Sequence, residues 1–113
     1  LIKYAKEDVF LNILPILDSI NLAENHMPEE IKSSEWAKGF MQIKKQINEF
    51  LKKERIEEVR SVGEKFDPKI MEATEEIESN SSESLAGTVI EELQKGYIMD
   101  GKVIRPTRVK INK

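Results

Sequence analysis

The sequence of 113 residues contains no cysteine and a single histidine, His26, which stands beside Met27 and Pro28. Without cysteine the chain can form no disulfide framework, thiolate metal site or thiol nucleophile. Zinc sites of the usual kind are excluded as well, because they need several cysteine or histidine ligands. His26 lies in a break between two helical patterns, where it is better interpreted as a solvated loop residue than as a base. We therefore expect no metal, no cofactor and no catalytic residue, and no enzymatic activity.

The five glycines are scattered, and none shows the spacing of a phosphate-binding loop, so no nucleotide site is expected in the chain itself. No apolar run approaches the ~20 residues that a membrane-spanning helix needs, and no signal peptide is visible. We therefore expect no membrane association and a cytoplasmic location. Because the chain opens on Leu1 inside a helical pattern, we also expect a preceding segment.

Charge is abundant but unevenly placed. Charged residues make up 35 % of the chain and the net charge is −3, which argues against sequence-blind DNA binding by the whole chain. The last seventeen residues are nevertheless basic, with one acid against five bases: Lys102, Arg105, Arg108, Lys110 and Lys113. This cluster could bind nucleic acid, contact a protein, or protect the edge of a sheet.

The first stretch, from Leu1 to about Asn25, has helical periodicity. Its apolar residues step by three and four along one face, and Leu14 widens the stripe: Phe10, Ile13, Leu17 and Ile20. Pro15 lies inside this pattern. Since proline removes a backbone hydrogen bond, we expect the helix to bend or break there.

A second helix is predicted from about Ser34 to Glu54, with Ser33 or Ser34 available as its N-cap. Its apolar residues step four, three, four, three over two heptads: Trp36, Phe40, Ile43, Ile47 and Phe50. An antiparallel hairpin of two such helices still exposes apolar surface. Pairing two hairpins into a four-helix bundle covers it, so we predict a homodimer whose interface contains these residues and the stripe of the first helix. A monomeric hairpin packed on its own C-terminal part is the alternative.

From about Ile56 the helical spacing stops, and short β-compatible runs alternate with glycine and proline. Asp100-Gly101, between Tyr97–Met99 and Lys102–Ile104, is a hairpin signal, because a type I′ turn needs positive φ at both central residues. Paired glutamates such as Glu91-Glu92 are expected to be solvated, since neighbours on a strand point to opposite faces. The sequence thus predicts an α+β chain, with a helical dimerisation segment at residues 1–54 and a small all-β domain at 55–113.

Several motifs together resemble the GrpE family. They are FDPKIMEA at residues 66–73, GTVIEELQKGYIMDGKVIRPTRVKI at residues 87–111, KYAKEDVFLNILPILDSINLA at residues 3–23 and WAKG at residues 36–39. They follow in the family's order over nearly the whole chain. The resemblance implies a homodimer with a long paired helix, a four-helix bundle and two β-domains. It also implies a non-enzymatic partner that inserts a β-domain at the ATPase cleft of a DnaK-type chaperone and releases ADP.

The resemblance further implies chaperone contacts at Leu93 before QKGY, Lys102 after the turn, Ile111 in the last strand, Asp67-Pro68, and Gly39 in the bundle helix. Family members often have arginine at the position of Lys102, and lysine lacks the planar fork for a bidentate contact. They often have histidine at the position of Met71.

These assignments have alternatives. Lys102 could be a solvated hairpin lysine, and Leu93 and Ile111 could belong to the β-core. At the level of function, a bundle-type adaptor without exchange activity is a second hypothesis. A nucleic-acid-binding β module using Lys102, Arg105, Arg108 and Lys110 is a third, although the net negative charge and the few aromatic residues disfavour it.

Overall fold

The computed structural model describes residues 2–78 and 85–113. The polar run Asn80-Ser81-Ser82-Glu83-Ser84, for which the sequence predicts a loop, lies outside them. The α+β class is confirmed, because two helices are followed by short strands. In chain order the elements are α1 (Ile2–Asn25), a 3-10 turn (Glu29–Ile31), α2 (Glu35–Lys53), β1 (Ile56–Glu58), β2 (Met71–Ile77), β3 (Val89–Gln94), β4 (Tyr97–Met99), β5 (Lys102–Arg105) and β6 (Thr107–Asn112). The chain divides into two compact units, residues 1–55 and 56–113, called here the helical unit and the β unit.

Helix α1 continues through Pro15, so the predicted interruption at this residue is not a break. Proline cannot donate to the carbonyl of Leu11, four residues earlier. Pro15 and Leu11 are both exposed, where water can replace the missing donor. The hydroxyl of Ser19 also donates to the carbonyl of Pro15 at 3.2 Å.

Both ends of α2 follow from local chemistry. The side chain of Ser34 accepts a hydrogen bond from the backbone N–H of Ala37 at 3.1 Å, as an N-cap should. Of the two serines that the sequence offered, Ser34 is therefore the cap. The helix ends before Arg55, which adopts a left-handed conformation with φ of 60° that stops helical propagation.

Two side-chain contacts join α1 to α2. The rings of Phe10 and Phe50 meet edge to face, with centroids 5.9 Å apart and an interplanar angle of 67°. The ammonium of Lys44 donates to both carboxylate oxygens of Glu24, at 2.6 and 2.7 Å. Phe10 precedes Glu24 in α1, whereas their partners Phe50 and Lys44 follow the reverse order in α2. The two helices therefore run antiparallel, as in a helical hairpin.

The β unit contains two three-stranded sheets. The first has the order β1-β4-β5 with antiparallel neighbours, and the second has the order β2-β6-β3. The central strand β6 runs parallel to β2 and antiparallel to β3. The predicted β4–β5 hairpin is confirmed, because Asp100 and Gly101 have φ values of 49° and 80°.

Side chains from both sheets build one core in the β unit. Its buried residues are Val59, Met71, Val89 and Val109, and the half-buried Phe66, Ile70, Ile98 and Ile111 pack against them. Ile98 belongs to the first sheet, whereas Val89 and Val109 belong to the second. The two sheets therefore bury apolar surface against one another, which favours a defined angle between them.

Candidate partner-binding surfaces

Each helix carries two neighbouring apolar stripes. On α1 the stripe Phe10, Leu14 and Leu17 is buried, while the stripe Val9, Ile13, Ile16 and Ile20 lies one residue to its side and is exposed or half-buried. On α2 the buried ends of one stripe are Ala37 and Leu51, and the neighbouring stripe Trp36, Ile43 and Phe50 is exposed. Trp36 is 65 % exposed and stacks on Phe40 at 5.7 Å. We call the two exposed stripes together the outward face.

The structure divides the predicted dimer residues into three groups. Phe10, Leu14 and Leu17 are already buried in the single chain, Trp36, Ile43 and Phe50 are exposed, and Ile13, Ile20, Phe40 and Ile47 are half-buried. The sequence prediction missed Val9 and Ile16, the second of which is 59 % exposed. The signal was present, because residues 9, 13, 16 and 20 step four, three, four along the helix.

In the β unit, Lys102 is the first residue of β5 and its side chain is exposed. It follows directly on the Asp100-Gly101 turn, so a rigid two-residue turn sets where β5 begins. Lys102 thus lies at the tip of the β4–β5 hairpin.

Leu93 is 47 % exposed on β3, so the interpretation of Leu93 as β-core is wrong. Strict alternation from the buried Val89 would place Leu93 on the buried face. The pairing of β3 with β6 instead shifts register between Val89 and Glu91 and again between Glu92 and Gln94. These irregularities change the phase of the strand and turn an apolar side chain to solvent.

Ile111 is half-buried and packs against the core, as the core interpretation had it. It lies on the central strand β6, with Val89 of β3 and Glu76 of β2 as its register partners. A partner that touched Ile111 would meet only the part of the side chain that the core leaves open.

Asp67 and Pro68 form a turn before β2. The side-chain carboxylate of Asp67 accepts a hydrogen bond from the backbone N–H of Lys69 at 2.9 Å. The backbone carbonyl of Asp67 accepts from the backbone N–H groups of Ile70 and Met71 at 3.2 and 2.9 Å. Asp67 thus has a local structural role, whereas Pro68 is exposed.

Gly39 is exposed on α2, and a Cβ built on it would meet nothing within 4 Å. Close packing within the single chain therefore does not explain glycine in this helix, where it costs about 1 kcal/mol relative to alanine.

Lys110 lies on the central strand between two glutamates. Its ammonium is 3.4 Å from a carboxylate oxygen of Glu91 on β3 and 3.6 Å from one of Glu75 on β2. Glu91 in the first place, and then Glu75, raise the pKa of Lys110 above its ordinary value. Glu91 is thus ion-paired. Its neighbour Glu92 accepts a hydrogen bond from the buried Ser61 hydroxyl at 2.5 Å. Both glutamates therefore have protein partners, whereas the sequence predicted only solvation.

Comparison with known proteins gives the family of the chain. The profile of the GrpE family matches residues 1–113. The chain belongs to the GrpE family. A relative named Protein GrpE from Bacillus licheniformis is 39 % identical over 110 residues, which are 97 % of this chain and 56 % of the relative. The one from Oceanobacillus iheyensis is 38 % identical over 112 residues, which are 98 % of this chain and 57 % of the relative. The one from Bacillus subtilis is 34 % identical over 110 residues, which are 97 % of this chain and 58 % of the relative. The chain thus spans a little over half the length of these GrpE relatives.

The residues that the GrpE resemblance selected are not all in one place. Leu93 and Ile111 lie on neighbouring strands of the second sheet, whereas Lys102 lies on the first sheet. The Asp67-Pro68 turn leads into β2, and Gly39 belongs to the helical unit. A binding surface that includes both Leu93 and Lys102 must therefore span the two sheets.

The described residues contain neither a cluster suited to a metal ion nor a helix suited to a membrane. Among residues 2–78 and 85–113, no group of three histidine, aspartate or glutamate side chains is arranged to hold a metal ion. No helix in these ranges is long and apolar enough to cross a membrane.

Proposed function

We propose that this chain supplies the dimerisation bundle and the chaperone-binding wedge of a nucleotide exchange factor that releases ADP from a DnaK-type chaperone. The observation that carries the proposal is the match to the GrpE family over residues 1–113. The exposed Leu93 and Lys102 support it, because they offer an apolar and a cationic group to a partner surface. We assign dimerisation to residues 1–54 and chaperone binding mainly to residues 55–113, in the cytoplasm.

The outward face supports the dimer. An isolated helix pair that leaves Trp36, Ile43 and Ile16 in water loses the free energy of burying them, about 1.5–3 kcal/mol for each large apolar side chain. A second copy carries the same face, and a two-fold axis brings the two faces together into a four-helix bundle. Gly39 on α2, whose Cβ position meets nothing in the single chain, we assign to contact with the chaperone.

The proposed mechanism is differential binding. If the β unit fits the chaperone only when its nucleotide cleft is open, binding shifts the population of the chaperone toward the open form. ADP then loses the contacts that it makes with both lobes of the closed cleft, and its release accelerates. Thermodynamic reciprocity requires that ADP weaken the binding of the exchange factor by the same factor. No bond is made or broken, so this function needs no catalytic residue.

Stopped-flow release of fluorescent ADP from a DnaK-type chaperone tests the proposal. We expect the chain to accelerate release, and Lys102→Ala and Leu93→Ala to lower its affinity for the chaperone. Lys65→Ala is the matched control, since Lys65 is an exposed lysine of the β unit away from the hairpin tip. Chaperone binding without faster ADP release would instead support the adaptor hypothesis, and absence of binding would refute the exchange function of this chain.

The nucleic-acid alternative is weakened by how the basic residues are engaged. Lys110 is neutralised by Glu75 and Glu91, and the guanidinium of Arg105 donates to the carbonyl of Lys95. A backbone-binding patch needs cations that are available to phosphates.

A further inference from the structure

The two sheets of the β unit are joined by short chain links. Lys95-Gly96 connects β3 of the second sheet to β4 of the first. Pro106 connects β5 of the first sheet back to β6 of the second. The chain therefore crosses from one sheet to the other and returns within about a dozen residues. The hairpin that bears Lys102 lies between these two crossings.

The two links are bonded to each other reciprocally. From just before the second link, Arg105 donates through Nε and Nη2 to the carbonyl of Lys95 in the first link, at 2.9 and 2.6 Å. From just before the first link, the side-chain amide of Gln94 donates to the carbonyl of Pro106 in the second link, at 3.2 Å. The side chain next to each link therefore donates to a backbone carbonyl of the other link.

Further contacts hold Arg105 and Lys95 in place. The guanidinium of Arg105 lies over the ring of Tyr97, 5.5 Å from its centroid, and Tyr97 is buried. Tyr97 and Arg105 are also cross-strand partners in the hairpin. The ammonium of Lys95 pairs with Glu58 of β1. Together, these contacts connect the end of β5 to β4 through Tyr97, to β1 through Lys95 and Glu58, and to β3 through Gln94.

We propose that Arg105 is a positioning residue: it locks the angle between the two sheets, so that Lys102 on one and Leu93 on the other present a single rigid surface to the chaperone. Binding a preorganised surface avoids the entropy cost of ordering it during association. Lysine cannot replace arginine in this role, because it lacks the planar fork that donates twice to one carbonyl while stacking on an aromatic ring.

Since this role presupposes the proposed exchange function, its test has two arms. In the first, we measure chaperone affinity for Arg105→Gln, Arg105→Lys, Lys102→Ala and the double variant Arg105→Gln/Lys102→Ala, in the full chain. We expect both Arg105 variants to bind about tenfold more weakly, and Arg105→Gln to have little further effect once Lys102 is removed. Arg108→Gln, which alters an exposed arginine on β6 of the second sheet, should bind like the unsubstituted chain. Unchanged affinity of Arg105→Gln, or additive losses in the double variant, would overturn the proposal.

The second arm does not depend on the chaperone. Residual dipolar couplings of backbone amides report whether the two sheets share one alignment. We expect a common alignment in the unsubstituted chain and in Arg108→Gln. For Arg105→Gln we expect averaged couplings throughout the first sheet, in β1, β4 and β5. If the chain does not bind a chaperone at all, the exchange function fails while this arm still decides whether Arg105 locks the sheets. Equal alignment of both sheets in Arg105→Gln would show that it does not.

Discussion

Gly96 lies directly against Thr107, at the point where the two sheets of the β unit are joined. A Cβ built on Gly96 would lie 2.5 Å from the backbone nitrogen of Thr107 and 2.9 Å from its Cα. Both positions are closer than real contacts allow, and backbone atoms cannot rotate away. Space, rather than a positive φ, therefore requires glycine here.

Gly96→Ala should lower the free energy of unfolding by about 3 kcal/mol or more, because the added methyl group forces the two crossings apart. Urea unfolding followed by circular dichroism would measure the effect. Gly39→Ala is the control: nothing lies within 4 Å of its Cβ, so we expect stability to rise by up to about 1 kcal/mol. Equal midpoints for Gly96→Ala and the unsubstituted chain would contradict the packing described here.

Thr107→Val should raise the free energy of unfolding by about 1 kcal/mol. The side-chain oxygen of Thr107 is buried and has no hydrogen-bond partner among the described residues, and removing an unsatisfied buried hydroxyl removes its desolvation cost. Thr107→Ser keeps the hydroxyl and loses the methyl group, so it should lower stability by about 0.8 kcal/mol. The two variants must move the urea midpoint in opposite directions, and a destabilised Thr107→Val would mean that the hydroxyl makes a favourable bond.

Lys110 should give the β unit a stability that disappears at alkaline pH. Glu91 and Glu75 raise its pKa in the folded state above the ordinary 10.5. The contribution of a group with a raised pKa is complete below its unfolded pKa and is lost as pH rises through its folded pKa. We therefore expect the stability difference between the unsubstituted chain and Lys110→Met to be constant near neutral pH and to shrink above about pH 10.5.

Urea unfolding from pH 8 to 11.5 measures this difference. Lys113→Met, which removes an exposed lysine of the same unit, should show no comparable trend. Added salt should also reduce the effect of Lys110→Met, because both glutamates are about half exposed. A difference that stayed constant up to pH 11.5 would exclude the ion pairs as its source.

Ile43→Glu should convert the proposed dimer into a monomer, because it places a charge in the middle of the outward face. Sedimentation equilibrium should then give the 13.0 kDa of one chain instead of twice that mass. Gln42→Glu adds the same charge at an exposed polar position next to it and should leave the dimer intact. If the unsubstituted chain were already a monomer at micromolar concentration, the dimer proposal would fail.

The sequence predicted best the features that depend on neighbours within one turn of chain. The cap at Ser34 needs only a hydroxyl three residues before a free N–H, and the hairpin at Asp100-Gly101 needs only two residues that tolerate positive φ. The heptad steps of Trp36, Ile43 and Phe50 likewise predicted the α2 helix, because side chains seven residues apart share a face.

Features that depend on distant partners were missed or misplaced. Nothing in the local pattern shows that Lys110 meets Glu75, 35 residues away, across a parallel strand pair. Leu93 follows the period of a buried residue, and only the register irregularities against β6 turn it outward. Pro15 predicts a bend or a break of the helix, and the exposure of that part of α1 allows the helix to continue without a break.

By itself, the sequence determined the family, the order of helices and strands, and the breadth of the apolar stripes, since periodicity and turn chemistry are short-range properties. The tertiary structure decided which half of each stripe is buried, with Leu14 inside and Ile16 outside. It also brought Arg105 to the carbonyl of Lys95 and Thr107 against Gly96. These pairings depend on how two sheets pack around a shared core, so these residues meet only when both crossings between the sheets have formed.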